Sequence, residues 1–119
     1  MKTALIADIH GNLIALEAVL ADAERRKVDR ILCLGDVAAT GPQPREVVQR
    51  LADIDCPVVL GSTDEWLLAP PAEEQVDDED TQRILDIDRW VSDQLDPGQL
   101  ELIAGYRPVV ELEDLLGYH

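Results

Sequence analysis

The chain has 119 residues and carries 25 acidic against 10 basic side chains, a formal net charge of −15. That charge excludes unassisted binding to nucleic acid or to an anionic membrane, because phosphates are repelled before contact. The length suits one domain over 1–119 with a real hydrophobic core, and no apolar run is long enough to cross a bilayer.

Met1-Lys2-Thr3 leads straight into a strand pattern rather than a signal peptide, so a cytoplasmic setting is expected. Lys2 to Ala7 is mostly apolar and suits a strand covered on both faces, bounded by an Asp-x-His turn. Asn12 is placed to cap a helix in which Leu13, Leu16, Leu20 and Ala23 recur at helical spacing. Arg25-Arg26-Lys27 complement the carboxyl end of that helix. Arg30 to Leu34 reads as a second strand, ending at Gly35-Asp36. Val37 to Pro44 is a loop with Gly41-Pro42 and Pro44 as breakers. Arg45 to Ala52 then reads as a helix, and Pro57 to Leu60 as a third strand ending at Gly61. Strand, helix, strand, helix, strand is a βαβαβ unit with a parallel sheet, so the fold class is α/β. Cys33 and Cys56 each lie in an apolar stretch and read as a reduced, buried pair rather than a disulfide.

The second half differs. Pro70-Pro71 ends any helix that starts near Asp64, and the tract from Glu73 to Asp80 reads as a solvated acidic loop within the domain, spanning about residues 70–80. It lacks the Gly and terminal Glu of a calcium loop. Ile84, Ile87, Val91 and Leu95 mark a long amphipathic helix with Trp90 beside the stripe. Asp96-Pro97-Gly98-Gln99 is a helix start: an Asp cap, Pro at the first position, and Gln three residues after the cap. Arg107 to Leu112 reads as a strand, and Leu115 to Tyr118 as the start of another.

The three expected strand ends deliver Asp8 with His10, then Asp36, then Gly61-Ser62-Thr63-Asp64. In a parallel sheet those turns share one edge, where ligands of open α/β sheets bind. Asp-x-His lets a carboxylate and an imidazole reach one cation, and Asp36, after a Gly that permits a sharp exit, can bridge two. Mixed oxygen and nitrogen ligands suit Mn, Fe, Zn, Co or Ni better than Ca. Two such cations about 3.5–4 Å apart activate a bridging water and clamp phosphoryl oxygens.

Asp8-Ile9-His10-Gly11-Asn12, Leu34-Gly35-Asp36 and the extension Gly41-Pro42-Gln43-Pro44, continued by Glu46-Val47-Val48, resemble the calcineurin-like metallophosphoesterases, especially the small bacterial phosphodiesterase and phosphatase branch. The resemblance implies the amino-terminal half of a four-layer α/β/β/α sandwich with its second sheet largely missing. It implies two divalent transition metal ions (Mn, Fe, Zn, Ni or Co), and hydrolysis of a small phosphomonoester or phosphodiester by metal-bound hydroxide. Asp8 and His10 would bind the first metal and Asp36 would bridge the two. His119, behind Leu116-Gly117-Tyr118, matches the family's His-Gly ligand, or is an accident of the terminus. Asp36 and Asp64 are the carboxylates assigned to catalysis, Asp64 by orienting a ligand or the Thr63 turn. Asn12 contacts the phosphate or simply caps its helix.

The third family block departs from the pattern. Ser62 stands where the family has a ligating Asn, and Thr63 where many members have a His, and a Gly-His-x-His block is missing. One weak metal site, rather than a tight pair, is the expectation for this chain. A missing second sheet would expose an apolar face, to be covered by self-association or by a protein partner. The alternative to an enzyme is a non-catalytic, protein-binding member of the fold, or an inactive fragment.

Overall fold

The computed structural model describes residues 1–70 and 77–119. Strand β1 (Thr3–Ile6), helix α1 (Leu13–Arg25), strand β2 (Arg30–Cys33) and helix α2 (Pro44–Asp53) come first. Helix α3 (Ser62–Leu68), helix α4 (Glu79–Gln94) and helix α5 (Pro97–Ala104) follow, and a hairpin of β3 (Val109–Leu112) and β4 (Leu115–Tyr118) ends the chain.

The expected α/β class holds. β1 and β2 pair in parallel, with Thr3 opposite Arg30 and Ile6 opposite Cys33. The expected third strand is shorter than a strand. Residues 57–60 join the sheet through single bridges, Cys33 to Val58 and Val59 to Arg107, both parallel. Their ladder consists of Cys33 N–H to the Pro57 carbonyl at 3.0 Å and Val59 N–H to the Cys33 carbonyl at 2.8 Å. On the far side, Leu60 N–H donates to the Arg107 carbonyl at 2.7 Å, so the strand expected from Arg107 is regular only from Val109.

Register decides which side chains face the helices. Ile6 and Cys33 lie on one face, with Val58, Leu16, Leu20, Val47, Val48, Leu51, Leu67, Val91, Leu95 and Ile103 in or against one core. Full burial of each of these Leu, Ile and Val side chains contributes about 1.5–3 kcal/mol. Thr3, Leu5, Arg30 and Leu32 face the other way, toward the hairpin. Gly117 lies so close to this face that an added Cβ would come within 2.7 Å of Leu32 Cδ2. Arg30 braces the contact, donating to Thr3 Oγ1 at 2.7 Å and pairing with Asp114 in the hairpin turn. The hairpin therefore covers Leu32 completely but leaves Leu5 54% exposed. This corrects the expectation that β1 is covered on both faces.

The caps behave as their sequence signals require. Asn12 Oδ1 accepts from Ala15 N–H at 3.0 Å at the start of α1, a contact that stabilises a helix by about 1 kcal/mol. Asp96 accepts from Gln99 N–H at 2.8 Å while Gln99 Oε1 accepts from Asp96 N–H at 3.1 Å, a reciprocal box at the start of α5. Two expectations in the middle of the chain are corrected. Of the acidic tract, 73–76 lies outside the described residues, and Glu79 and Asp80 form the first turn of α4 rather than loop. The buried side of α4 is Leu85, Asp88 and Val91, whereas Ile84 and Ile87 are each 46% exposed.

Both cysteines are free thiols. Burial pushes Cys33 up to about 12 and Cys56 up to about 11. Since the thiolate is the reactive form, iodoacetamide at pH 8 is expected to leave both largely unmodified in the folded protein. Both should be alkylated at least about tenfold faster once urea unfolds the chain. Intact mass against time reads this, and fast native labelling of Cys33 would contradict the packing.

Candidate metal centre

The site begins with backbone. Past the end of β1 the chain stays zipped to the segment after β2: Asp8 N–H donates to the Gly35 carbonyl at 3.0 Å, His10 N–H to Asp36 at 3.0 Å, and Gly11 N–H to Val37 at 2.8 Å. Three non-glycine residues here, Asp8 (φ 55), His10 (φ 45) and Asp36 (φ 57), occupy the left-handed region. Asp tolerates that region better than most residues, but each such position is strained and persists because its surroundings hold it. The turns bend the three side chains toward a common point.

The third turn is locked to the second by Asp64. This fully buried carboxylate accepts from Asp36 N–H and Gly61 N–H through Oδ2, and from Val37 N–H through Oδ1, all at 2.9 Å. Burial raises its pKa, and the backbone donors at Val37, Gly61 and Asp36 oppose that by favouring the ionised form. Gly35, at φ 100, packs so tightly on the third turn that a Cβ would lie 2.7 Å from Gly61 N. Thr63 completes the lock on the side-chain side, donating its N–H at 3.1 Å and its hydroxyl at 2.8 Å to Asp36 Oδ1.

With Oδ1 engaged, Asp36 turns Oδ2 to the centre. His10 Nε2 lies 3.9 Å from it and 3.7 Å from Asp8 Oδ1. Asp8, His10 and Asp36 each offer a ligand atom, and these atoms lie within 4.8 Å of one another. His119 reaches the same oxygen from the end of β4, with Nε2 at 3.5 Å from Asp36 Oδ2. Both imidazoles are oriented alike. Nδ1–H of His10 donates to the Ala39 carbonyl at 2.9 Å, and Nδ1–H of His119 to the Leu34 carbonyl at 2.7 Å. A carbonyl only accepts, so the proton sits on Nδ1 and a neutral ring presents a lone pair on Nε2. Metal-binding histidines are held in this way.

The remaining sequence candidates take other places. Asn12 caps α1. Ser62 is exposed at the first position of α3. Thr63, read from the sequence only as a departure, is a direct partner of Asp36. The sequence reading also missed Thr40 and Asp88. Thr40 Oγ1 lies 3.2 Å from His10 Nδ1, and Asp88 of α4 accepts from Thr40 N–H at 3.1 Å. The Gly41-Pro42 signal was legible, and its reason is close approach: a Cβ on Gly41 would lie 1.6 Å from the His10 carbonyl oxygen.

The calcineurin-like phosphoesterase superfamily domain matches residues 1–105. The chain belongs to this superfamily. An uncharacterized protein of Methanocaldococcus jannaschii is 45% identical over 65 residues, which are 55% of this chain and 27% of that protein. The symmetrical bis(5'-nucleosyl)-tetraphosphatase of Pectobacterium carotovorum is 36% identical over 72 residues, 58% of this chain and 26% of that enzyme. A metallophosphoesterase from Sphaerobacter thermophilus superposes on 98% of this chain and 45% of its own with a TM-score of 0.75 and 30% identity. The matches to the curated relatives thus span about a quarter of their length, and this chain covers about half of the Sphaerobacter structure.

Calcineurin-like phosphoesterases depend on metal ions, and the donor set here fits one. Two carboxylates and an imidazole with a free Nε2 are hard and borderline ligands of the kind that first-row divalent cations take. Among the described residues no helix is long and apolar enough to span a membrane.

Two substitutions test how the site is built. Asp64→Ala leaves buried N–H donors of Asp36, Val37 and Gly61 without their acceptor, and should cost about 3–5 kcal/mol in urea unfolding. Gly41→Ala should lower stability by about 2 kcal/mol or more, because the obstacle is backbone rather than a flexible side chain. A change under about 0.5 kcal/mol in either would contradict the geometry.

Proposed function

We propose that the chain is a metal-dependent phosphoesterase, hydrolysing a small phosphomonoester or phosphodiester at the Asp8, His10 and Asp36 centre. The observation that carries this reading is the convergence of three ligand atoms from two successive turns within 4.8 Å. The name of the Pectobacterium relative adds bis(5'-nucleosyl) tetraphosphates to the substrate classes worth testing.

Each residue has a part in this reading. Asp8, His10 and Asp36 would hold a divalent cation, Mn, Fe, Zn, Ni or Co, and His119 with Asp36 would hold a weaker second one. A bound cation supplies the positive charge that phosphate oxygens need and makes water a better nucleophile. Asp64 would keep the Asp36 turn in place by accepting backbone N–H bonds through its carboxylate, and Thr63 holds Asp36 Oδ1 so that Oδ2 faces the histidines. Asn12 is engaged in capping α1, which places its backbone beside the site and leaves a substrate role subordinate. The setting we assign is cytoplasmic and one domain carries the site.

The exposed apolar residues support a further part of the reading. Leu5 is exposed on β1 beside the hairpin, and Val109, Leu116 and Tyr118 are exposed on the hairpin side opposite the one that meets Leu32. We propose that a second copy or a protein partner covers this face, and the same surface is what a non-catalytic scaffold would use. Light scattering at high concentration should show a dimer or larger species, and a strict monomer would remove self-association.

Activity and metal content decide the main reading. The purified protein should bind Mn2+ and hydrolyse a chromogenic phosphodiester, and Asp36→Asn should lower turnover about 100-fold. No turnover above that variant would end the enzyme reading. The Leu34 carbonyl at Nδ1 raises the pKa of His119, as do the nearby Asp36, Asp8 and Asp64, while desolvation opposes them. A proton therefore competes with a cation at this ring up to a pH above its ordinary value. The weaker, second Mn2+ binding event should tighten as pH rises through that raised pKa, and His119→Gln should remove that event. Calorimetric titration across pH 5.5 to about 8.5 reads both outcomes.

A further inference from the structure

Thr40 lies in the loop between β2 and α2 at φ 64, a conformation that β-branched residues avoid. Something outside the loop must hold it there. Its N–H donates at 3.1 Å to Oδ1 of Asp88, which arrives from α4 and is 48 positions away in the chain. The next contacts run inward. Thr40 Oγ1–H donates to the Ala39 carbonyl at 2.6 Å, and the same oxygen lies 3.2 Å from His10 Nδ1. The Ala39 carbonyl accepts from His10 Nδ1–H at 2.9 Å. Ala39 itself is fully buried, so this carbonyl is shielded from the water that could otherwise replace it.

Asp88 is an unusual residue for its place. It sits on the buried side of α4 between Leu85 and Val91. A carboxylate there is costly to bury unless a donor meets it. Burial raises its pKa, while the Thr40 N–H and the nearby His10 favour the ionised form. The helix turns this acid inward while leaving Ile84 and Ile87 exposed, so packing alone does not account for the orientation of α4.

We propose that Asp88 is a positioning residue for the metal centre. By accepting the Thr40 N–H it fixes the Ala39 carbonyl and the Thr40 hydroxyl on the Nδ1 side of His10, and so aims Nε2 at Asp8 and Asp36. The inference deepens the metal reading of the same site and rests on it. It adds that a helix outside the βαβ unit sets the tautomer and direction of a ligand.

The test compares Asp88→Ala with Asp88→Asn in the full chain. The asparagine keeps an acceptor oxygen for Thr40 N–H, and the alanine removes it. Two readouts are taken: Mn2+ affinity by calorimetry, and the imidazole 15N shifts of His10 in metal-free protein, assigned against His119→Gln. Wild type and Asp88→Asn should both show the Nδ1–H form of His10 and Mn2+ affinities within about threefold of one another. Asp88→Ala should show a ring exchanging between tautomers and an affinity weaker by about tenfold or more. Asp88→Ser, whose hydroxyl is too short to reach, gives the same comparison if the alanine variant fails to fold. An alanine or serine variant that loses thermal stability but keeps both the ring form and the affinity overturns the proposal, since Asp88 then only packs α4. A wild-type protein that binds no Mn2+ overturns the metal reading instead, and the metal-free ring spectra still decide whether Asp88 positions His10.

Discussion

The candidate centre depends on one buried carboxylate that need not touch a cation. Asp64 gathers the N–H groups of Asp36, Val37 and Gly61 around its two oxygens. These donors belong to two turns that follow neighbouring strand segments, and peptide groups so close together and away from water require an acceptor. A neutral side chain could accept from some of them. A carboxylate accepts from all, and charge-assisted bonds are the stronger kind. With its N–H held, Asp36 occupies a left-handed conformation, and its side chain projects from the sheet edge toward the histidines. The strain at Asp36 and the burial of Asp64 are thus two sides of one arrangement.

How much of this could be read from the sequence depended on how far each signal lay from its consequence. The Asn12 cap and the Asp96–Gln99 box act within a few residues, and both appear in the structure where expected. The Asp8, His10 and Asp36 convergence follows from the order of strands and the parallel sheet, which a short periodic pattern reveals. The phase of α4 was not legible in the same way. Ile84, Ile87, Val91 and Leu95 make a clean apolar stripe, and the competing face contains Asp88. A pattern that counts apolar residues rejects that face. The fold accepts it because Asp88 finds the Thr40 N–H, a partner many residues away whose need depends on a left-handed backbone. Thr63 was hidden for a related reason. Compared with a motif it was only a change, whereas its contact with Asp36 is long-range.

The hairpin at the end of the chain links packing to the site. Gly117 allows β4 to lie flat on Leu32, and Arg30 with Asp114 keeps the turn of the hairpin near the first strands. The next residue but one is His119, whose ring meets the Leu34 carbonyl at the end of β2. The register of the hairpin on the sheet places this ring beside Asp36, with Nε2 3.5 Å from Oδ2. The same small hairpin is too narrow to cover Leu5, and one strand pair therefore both brings His119 beside Asp36 and leaves apolar surface nearby.

The departures in the third turn then take on a chemical meaning. Thr63 donates twice to Asp36 Oδ1, which withdraws that oxygen from the centre and leaves Oδ2 as the one that both imidazoles approach, at 3.9 and 3.5 Å. On the proposed reading, cations beside His10 and beside His119 would draw on this single oxygen. Sharing one anionic oxygen weakens its hold on each cation. Asp8 stands 3.7 Å from His10 Nε2, whereas among the described residues Asp36 is the carboxylate within ion-pair distance of His119. The His10 position thus has two carboxylates and an imidazole, the His119 position one shared carboxylate and an imidazole. Affinity should follow that order, with the first position filled at cation concentrations that leave the second largely empty.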